Sequence, residues 1–358
     1  MTNRIENYAK DIEFIPKEDY KKYRDHWDSL VHPTGSLGEI EEIGIKTCAI
    51  LGEIPKKLNK KATVVMCNDN GIINANISSS PKILTKLLAI QMAKGTTGVD
   101  ALSEAANADV FVVDLGIEDF EDFDGVINRR ISNGTKNFLE EDAMTYEEAI
   151  KSIEAGIEVA EDLIQKGYTV LGTGELGMGN TTTSAAVIKG LTGVSEKDVV
   201  GLGSGVDETQ LDNKYKAVAD GIRLRNPNKD DPIDVLAKVG GYDIGGIAGV
   251  FLACGKNKIP GVVDGIISAA GALLAYKLNP NISHYLFGSH IAMEKGAKVA
   301  LDEMGIKGYL DCSMRLGEGS GCPLLFQIMD SSIYCMNHMT KFEETDIVNT
   351  LVNIRDKK

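Results

Sequence analysis

The sequence has no C-x-x-C pair. Its six cysteines, Cys48, Cys67, Cys254, Cys312, Cys322 and Cys335, are scattered. That excludes a disulfide scaffold and reads as the reduced, mostly buried thiols of a cytoplasmic protein. The histidines, His26, His32, His284, His290 and His338, include no H-x-x-x-H pair, so no metal site is expected. No apolar run is long enough for a bilayer, because the most apolar window, 261–276, is broken by Asp264. The start of the chain is polar and mixed in charge rather than signal-like. Fixed-period repeats and low-complexity tracts are lacking too. Cations are in deficit: 38 Lys and Arg against 52 Asp and Glu leave a net charge of −14. Such a chain repels polyphosphate backbones, which argues against nucleic-acid binding. A phosphate bound here needs local backbone amides and one or two well-placed cations.

What is present is ordinary for a soluble globular enzyme. The chain has 358 residues, 43% apolar and 25% charged, enough to bury about three quarters of its unfolded surface without metal or disulfides. That length suits two domains, or one large α/β domain with an appendage. Residues 1–60 read as charged helices around a turn at 32–38. Apolar, β-branched runs then appear at 62–66, 109–115, 168–171 and 259–263, with a weaker one at 199–202. Helical patterns fill 81–107, 145–166, 181–191, 208–222, 232–255 and 266–277. Strands alternating with helices predict an α/β fold with a parallel sheet covered on both faces. The tail from Phe326 is helical again. Residues 61–325 are therefore expected to form the large domain, with 1–60 and 326–358 packed together as a smaller helical one. Glycine and polar residues cluster just after each apolar run, which in a parallel sheet is the carboxyl edge where ligands bind.

Three segments carry chemistry. In 168–184, Gly172, Gly174, Gly177 and Gly179 follow a strand and open a helix at Asn180-Thr181-Thr182, the composition of an anion nest. The run Gly172-x-Gly174-x-x-Gly177 also fits a dinucleotide fingerprint. Against that stand Glu175, which puts a carboxylate in the loop, and Glu196, a turn residue where the ribose-binding acid belongs. A phosphomonoester site and a purely structural turn remain beside it. A second glycine turn, 201–205, includes Gly203 and precedes Lys214, a candidate counter-charge. In 314–321, Glu318 is flanked by Gly317, Gly319 and Gly321, with Arg315 upstream. Glycines on both sides let a carboxylate approach a substrate and accept a proton; an exposed turn glutamate is the plainer alternative.

The same residues resemble the nicotinate-nucleotide:dimethylbenzimidazole phosphoribosyltransferase family, which activates the lower-ligand base of cobalamin. The resemblance runs through 33–38 (PTGSLG), Ser80-Pro81-Lys82, 95–98 (GTTG), 174–182 (GELGMGNTT), Asp212-Asn213-Lys214 and 239–243 (VGGYD). It continues through Val263-Asp264-Gly265, Glu294-Lys295-Gly296 and 315–321 (RLGEGSG). It implies a Rossmann-like parallel sheet with a small helical domain from both termini. It also implies a dimer, of identical chains or with a paralogue. The implied substrate is nicotinate mononucleotide, with an aromatic acceptor attacking C1′ with inversion and no separate cofactor. Glu318 is then the general base and Glu175 lies close to the nucleotide. The nucleotide and its phosphate fall to Gly174, Gly177, Gly179, Asn180, Thr181, Thr182, Gly203, Lys214, Gly265 and Arg315. The acceptor pocket falls to Ser80, Leu88, Leu176, Met178 and Leu316.

Some positions depart from the family pattern. Asn70 stands where the family usually has histidine, His32 where it has lysine or arginine, Ala292 where it has serine, and Leu88 where it has glutamine. Pro81 is expected to open a helix that puts Ser80 and Leu88 on one side. Leu88 then removes an amide from the acceptor wall and favours a more apolar acceptor, such as a phenol. Two readings follow: an active transferase taking a benzimidazole or a phenol, and a weakly active or inactive subunit paired with a catalytic paralogue. A nicotinamide-dependent dehydrogenase is the third, resting on the glycine fingerprint alone.

Overall fold

The computed structural model describes residues 4–347 apart from Ser204 and Val206. Ser204 of the second glycine turn and the tail from 348 therefore lie outside the described residues.

Seven strands form one all-parallel sheet: β1 (Lys60–Asn68), β2 (Asp109–Gly116), β3 (Val126–Asn128), β4 (Tyr168–Leu176), β5 (Gly261–Val263), β6 (Leu286–His290) and β7 (Gly308–Leu310). Their spatial order is β3-β2-β1-β4-β5-β6-β7. The order reverses between β1 and β4, and the connections of these two strands leave in opposite directions, opening a crevice at their carboxyl ends. The predicted α/β fold with a parallel, Rossmann-like sheet is borne out. Every residue of β1 after Lys60 is buried, which is why the run at 62–66 is mostly apolar rather than alternating.

The helices run in chain order α1 (Arg4–Ala9), α2 (Lys17–Asp28), α3 (Glu39–Leu51), α4 (Leu84–Ala93), α5 (Gly98–Ala105), α6 (Tyr146–Gln165), α7 (Asn180–Thr192), α8 (Glu196–Val199), α9 (Glu208–Arg225), α10 (Pro232–Val239), α11 (Tyr242–Lys256), α12 (Ile266–Leu278), α13 (Lys295–Glu303) and α14 (Cys322–His338). The helix start at 145 is legible because Thr145 and Glu148 form a reciprocal capping box. Among the described residues, no helix is long and apolar enough to cross a membrane. Helices α2, α3 and α14 pack together: the Ser332 hydroxyl donates to Ile40 O at 2.6 Å, and a ring nitrogen of His26 lies 2.9 Å from Met336 O.

Several local expectations are corrected. The helix predicted over 81–107 is two helices, broken at Gly95, whose φ is +73°. The one predicted over 232–255 is broken at Gly240-Gly241. The weak strand at 199–202 is instead the end of α8 and a loop. Strands β3, β6 and β7 carry no clear pattern because they are only three to five residues long. The tail helix begins at Cys322 rather than Phe326. Strand β4 continues past Leu171 through Gly172, Gly174 and Glu175, so the first two glycines of the fingerprint lie inside the sheet.

Candidate active site

A cavity of about 260 Å³ lies at the carboxyl edge of the sheet, at the switch between β1 and β4. Strand β4 delivers Glu175 and Leu176 into it, and Gly177, Met178, Gly179, Asn180 and Thr181 continue the lining into α7. Gly265 enters from the turn after β5. Arg315, Leu316 and Glu318 come from the loop before α14.

Glu318 has φ +61°, between Gly317 at +79° and Gly319 at +86°. A left-handed glutamate costs about 1–3 kcal/mol and persists only where its surroundings hold it. Buried Asp264 does so, accepting the Gly319 amide at 3.0 Å and the Gly321 amide at 2.8 Å. The Glu318 amide faces Glu175 Oε1 at 3.4 Å. Burial raises the Glu318 carboxyl above its ordinary value, and Asp100 and Asp264 add to the rise.

Glu175 lies behind it. Loss of water is the main cause that raises its carboxyl to about 8; a hydrogen bond from Asn180 Nδ2 opposes the rise and buried Asp243 adds to it. Asp243 is itself raised to about 6 by burial. The two glutamates thus differ in environment, one enclosed among acids and amides, the other on a glycine loop at the cavity.

Lys214 is a buried cation in the cavity lining, 3% exposed. Its Nζ donates to Thr181 Oγ1 at 3.0 Å and Gly201 O at 3.4 Å. Burial lowers its pKa, while Glu294 favours the charged form. Glu294 also accepts the Gly203 amide at 2.7 Å. Lys214, Gly203 and Glu294 all line the cavity.

Two residues assigned to the phosphate do not line it. Gly174 lies within β4 beneath the Glu318 backbone, where a Cβ would come within 2.3 Å of Glu318 O. Thr182 is buried in the first turn of α7. The amide nest is also partly committed: Met178 N–H donates to Thr85 Oγ1, Asn180 N–H to Gly177 O and Thr182 N–H to Gly179 O.

The opposite wall holds Ser80, Leu84 and Leu88. Helix α4 starts at Leu84, so Ser80 lies before it; a turn bonding Leu84 N–H to Pro81 O brings the two together. Ala292 lines the cavity as well. His32 does not: it is buried with a ring nitrogen 3.2 Å from Glu41. Asn70 is buried behind the cavity, accepting from Asn68 Nδ2 at 3.1 Å, and its own Nδ2 has no partner among the described residues. Sequence reasoning gave no separate role to Asp264, Glu294, Asp243 or Thr85. Asp264 and Glu294 stood inside motifs, but nothing in residue type marked their backbone partners. Among the described residues there is no cluster of three or more His, Cys, Asp or Glu fit for a metal.

Fold and cavity define an α/β enzyme with its site at the switch point of a parallel sheet. A family model described as "Phosphoribosyltransferase" matches residues 12–347. A protein of Clostridium tetani named nicotinate-nucleotide–dimethylbenzimidazole phosphoribosyltransferase is 45% identical over 355 residues, 99% of this chain and 98% of the relative. One of the same name from Clostridioides difficile is 40% identical over 343 residues, 96% of this chain and 99% of the relative. The crystal structure of CobT from Thermus thermophilus superposes with a TM-score of 0.88 at 34% identity, covering 93% of this chain and 99% of that one. The chain belongs to the nicotinate-nucleotide–dimethylbenzimidazole phosphoribosyltransferase family.

Proposed function

We propose that the chain transfers the phosphoribosyl group of nicotinate mononucleotide to an aromatic lower-ligand base for cobamide assembly. The observation that carries this is one cavity lined by both the Glu318 carboxylate and the buried Lys214 ammonium. Glu318 takes the proton from the acceptor nitrogen or oxygen, which attacks C1′ from the face opposite the leaving group, with inversion. The C1′–nitrogen bond to nicotinate breaks, and its electron pair neutralises the pyridinium. One proton and one glycosidic bond move, so the reaction needs no redox cofactor. Glu175, raised to about 8, is mostly protonated at neutral pH. That leaves Glu318 as the base and spares the anionic substrate a second buried charge. The test is nicotinate release from nicotinate mononucleotide with dimethylbenzimidazole or p-cresol; no release by the isolated chain with either overturns it.

The 5′-phosphate goes to Lys214, with Thr181, Gly177, Gly179, Gly203 and Gly265 around it and Arg315 at the rim. Lys214→Ala is expected to raise KM for nicotinate mononucleotide about tenfold to a hundredfold, the worth of one charge-assisted hydrogen bond. The acceptor's KM should stay near the parent value. If the nucleoside lacking phosphate serves the parent equally well, the phosphate lies elsewhere.

The acceptor rests among Ser80, Leu88, Leu176, Met178 and Leu316. A methyl wall at Leu88 strands a benzimidazole's second ring nitrogen, worth roughly 1–3 kcal/mol, and a phenol has none to strand. Leu88→Gln should therefore shift competition between p-cresol and dimethylbenzimidazole toward the benzimidazole. No shift, or the opposite one, removes Leu88 from acceptor choice.

The weakly active subunit is supported by the Asn70 Nδ2, which has no partner among the described residues, and by Ala292 in the lining. Exposed Met293 and Leu316 at the mouth support a dimer with an identical chain or a paralogue. If nicotinate release appears only after mixing with a catalytic paralogue, this second reading replaces the first.

A further inference from the structure

We propose that Thr85 is a positioning residue of the acceptor pocket, setting the distance between its α4 wall and its Met178 wall through one hydroxyl. The role rests on the acceptor pocket proposed above. Thr85 is fully buried on α4, one residue past Leu84 and three before Leu88, which both line the cavity. Its Oγ1 accepts the Met178 amide at 3.2 Å. Burial raises the carboxyl of Asp69, and a hydrogen bond from the Thr85 hydroxyl opposes that rise; Asp69 also accepts the Glu118 amide at 2.9 Å. One hydroxyl thus joins three elements: the helix, the turn after β1 and the loop after β4.

The other polar anchors of α4 among the described residues do not reach the cavity loop, although Leu176 at the start of that loop shares an apolar cluster with Ala89 and Met92 of the helix. Lys82 pairs with Glu118, and Lys86 Nζ donates to Asp119 O at 2.7 Å, fixing the outer side of the helix to the turn after β2. Met178 is flanked by Gly177 and by Gly179 at φ +90°, a loop with little stiffness of its own. Its unbranched side chain adapts to whatever faces it, so its place in the pocket follows from its backbone. Of the described hydrogen bonds, the one to Thr85 ties that backbone to the facing wall. The phosphate end has separate anchors in Lys214 and Thr181, so loosening Thr85 should be felt by the acceptor alone.

The experiment uses the full chain and three variants, checked first for a parent-like thermal melt. Thr85→Val keeps the shape and leaves the Met178 amide unpaired. Thr85→Ala carries the test if valine prevents folding, and Thr85→Ser restores the hydroxyl. The expected result is an acceptor KM, and a Kd from dimethylbenzimidazole fluorescence titration, raised about tenfold in Val or Ala. KM for nicotinate mononucleotide should stay within about twofold, and serine should recover the acceptor values. Unchanged acceptor KM and Kd, an equal rise for both substrates, or no recovery in serine overturns the assignment. If the parent neither binds nor uses dimethylbenzimidazole, the acceptor pocket itself is misplaced, and Thr85's role falls with it.

Discussion

Glu318→Gln is expected to lower kcat by about 10²–10⁴, the usual contribution of a positioned general base, with binding of nicotinate mononucleotide kept. Glutamine preserves the size of the side chain and the left-handed backbone, so the loop held by Asp264 need not move. What it loses is a site for the acceptor's proton. Glu175 is a poor substitute at neutral pH, since a carboxyl raised to about 8 is mostly protonated there. The pH profile gives a second check. Burial raises Glu318 above its ordinary value, so its basic form, and turnover with it, should be lost as pH falls through a limb lying above the usual glutamate range of about 4.3. That limb should vanish from the residual activity of the glutamine variant. An unchanged kcat, or the same limb in the variant, would assign proton removal to another group.

The parts of this site that sequence made legible are those where residue type and chemistry coincide. A glutamate between glycines and a lysine after a glycine turn both proved to line the cavity. The parallel sheet was legible because buried strands of eight or nine residues read as apolar runs, whereas β7, with three partly exposed residues, leaves no such trace. Glycine was the ambiguous signal. Gly174 reads as part of a phosphate nest, but β4 runs on through it because its neighbours on β1 stay buried and paired, and its small size serves a backbone crossing above. Asp264 and Thr85 were illegible for a different reason. Their partners are backbone amides distant in sequence, at Gly319, Gly321 and Met178, and no spacing rule links a side chain to an amide brought near only by the fold.

The crossing at Gly174 makes a sharp prediction. Gly174 pairs with Val65 in the middle of the sheet, so neither its own strand nor its neighbour has slack. A Cβ there would lie 2.3 Å from Glu318 O, 2.5 Å from Glu318 C and 2.8 Å from Gly319 N. All three are backbone atoms, so no side-chain rotation relieves the overlap. In Gly174→Ala the 317–319 loop must therefore rise, carrying Glu318 by about 1 Å. A displacement of that size at a reacting group is worth about 10²-fold in rate. Overpacking should also cost about 1–3 kcal/mol of stability, visible as a lowered Tm. Lys214 and Thr181 hold each other from α9 and α7, away from the crossing, so KM for nicotinate mononucleotide should change far less than kcat. A folded Gly174→Ala protein with parental kcat would mean that the loop position is not set by this contact.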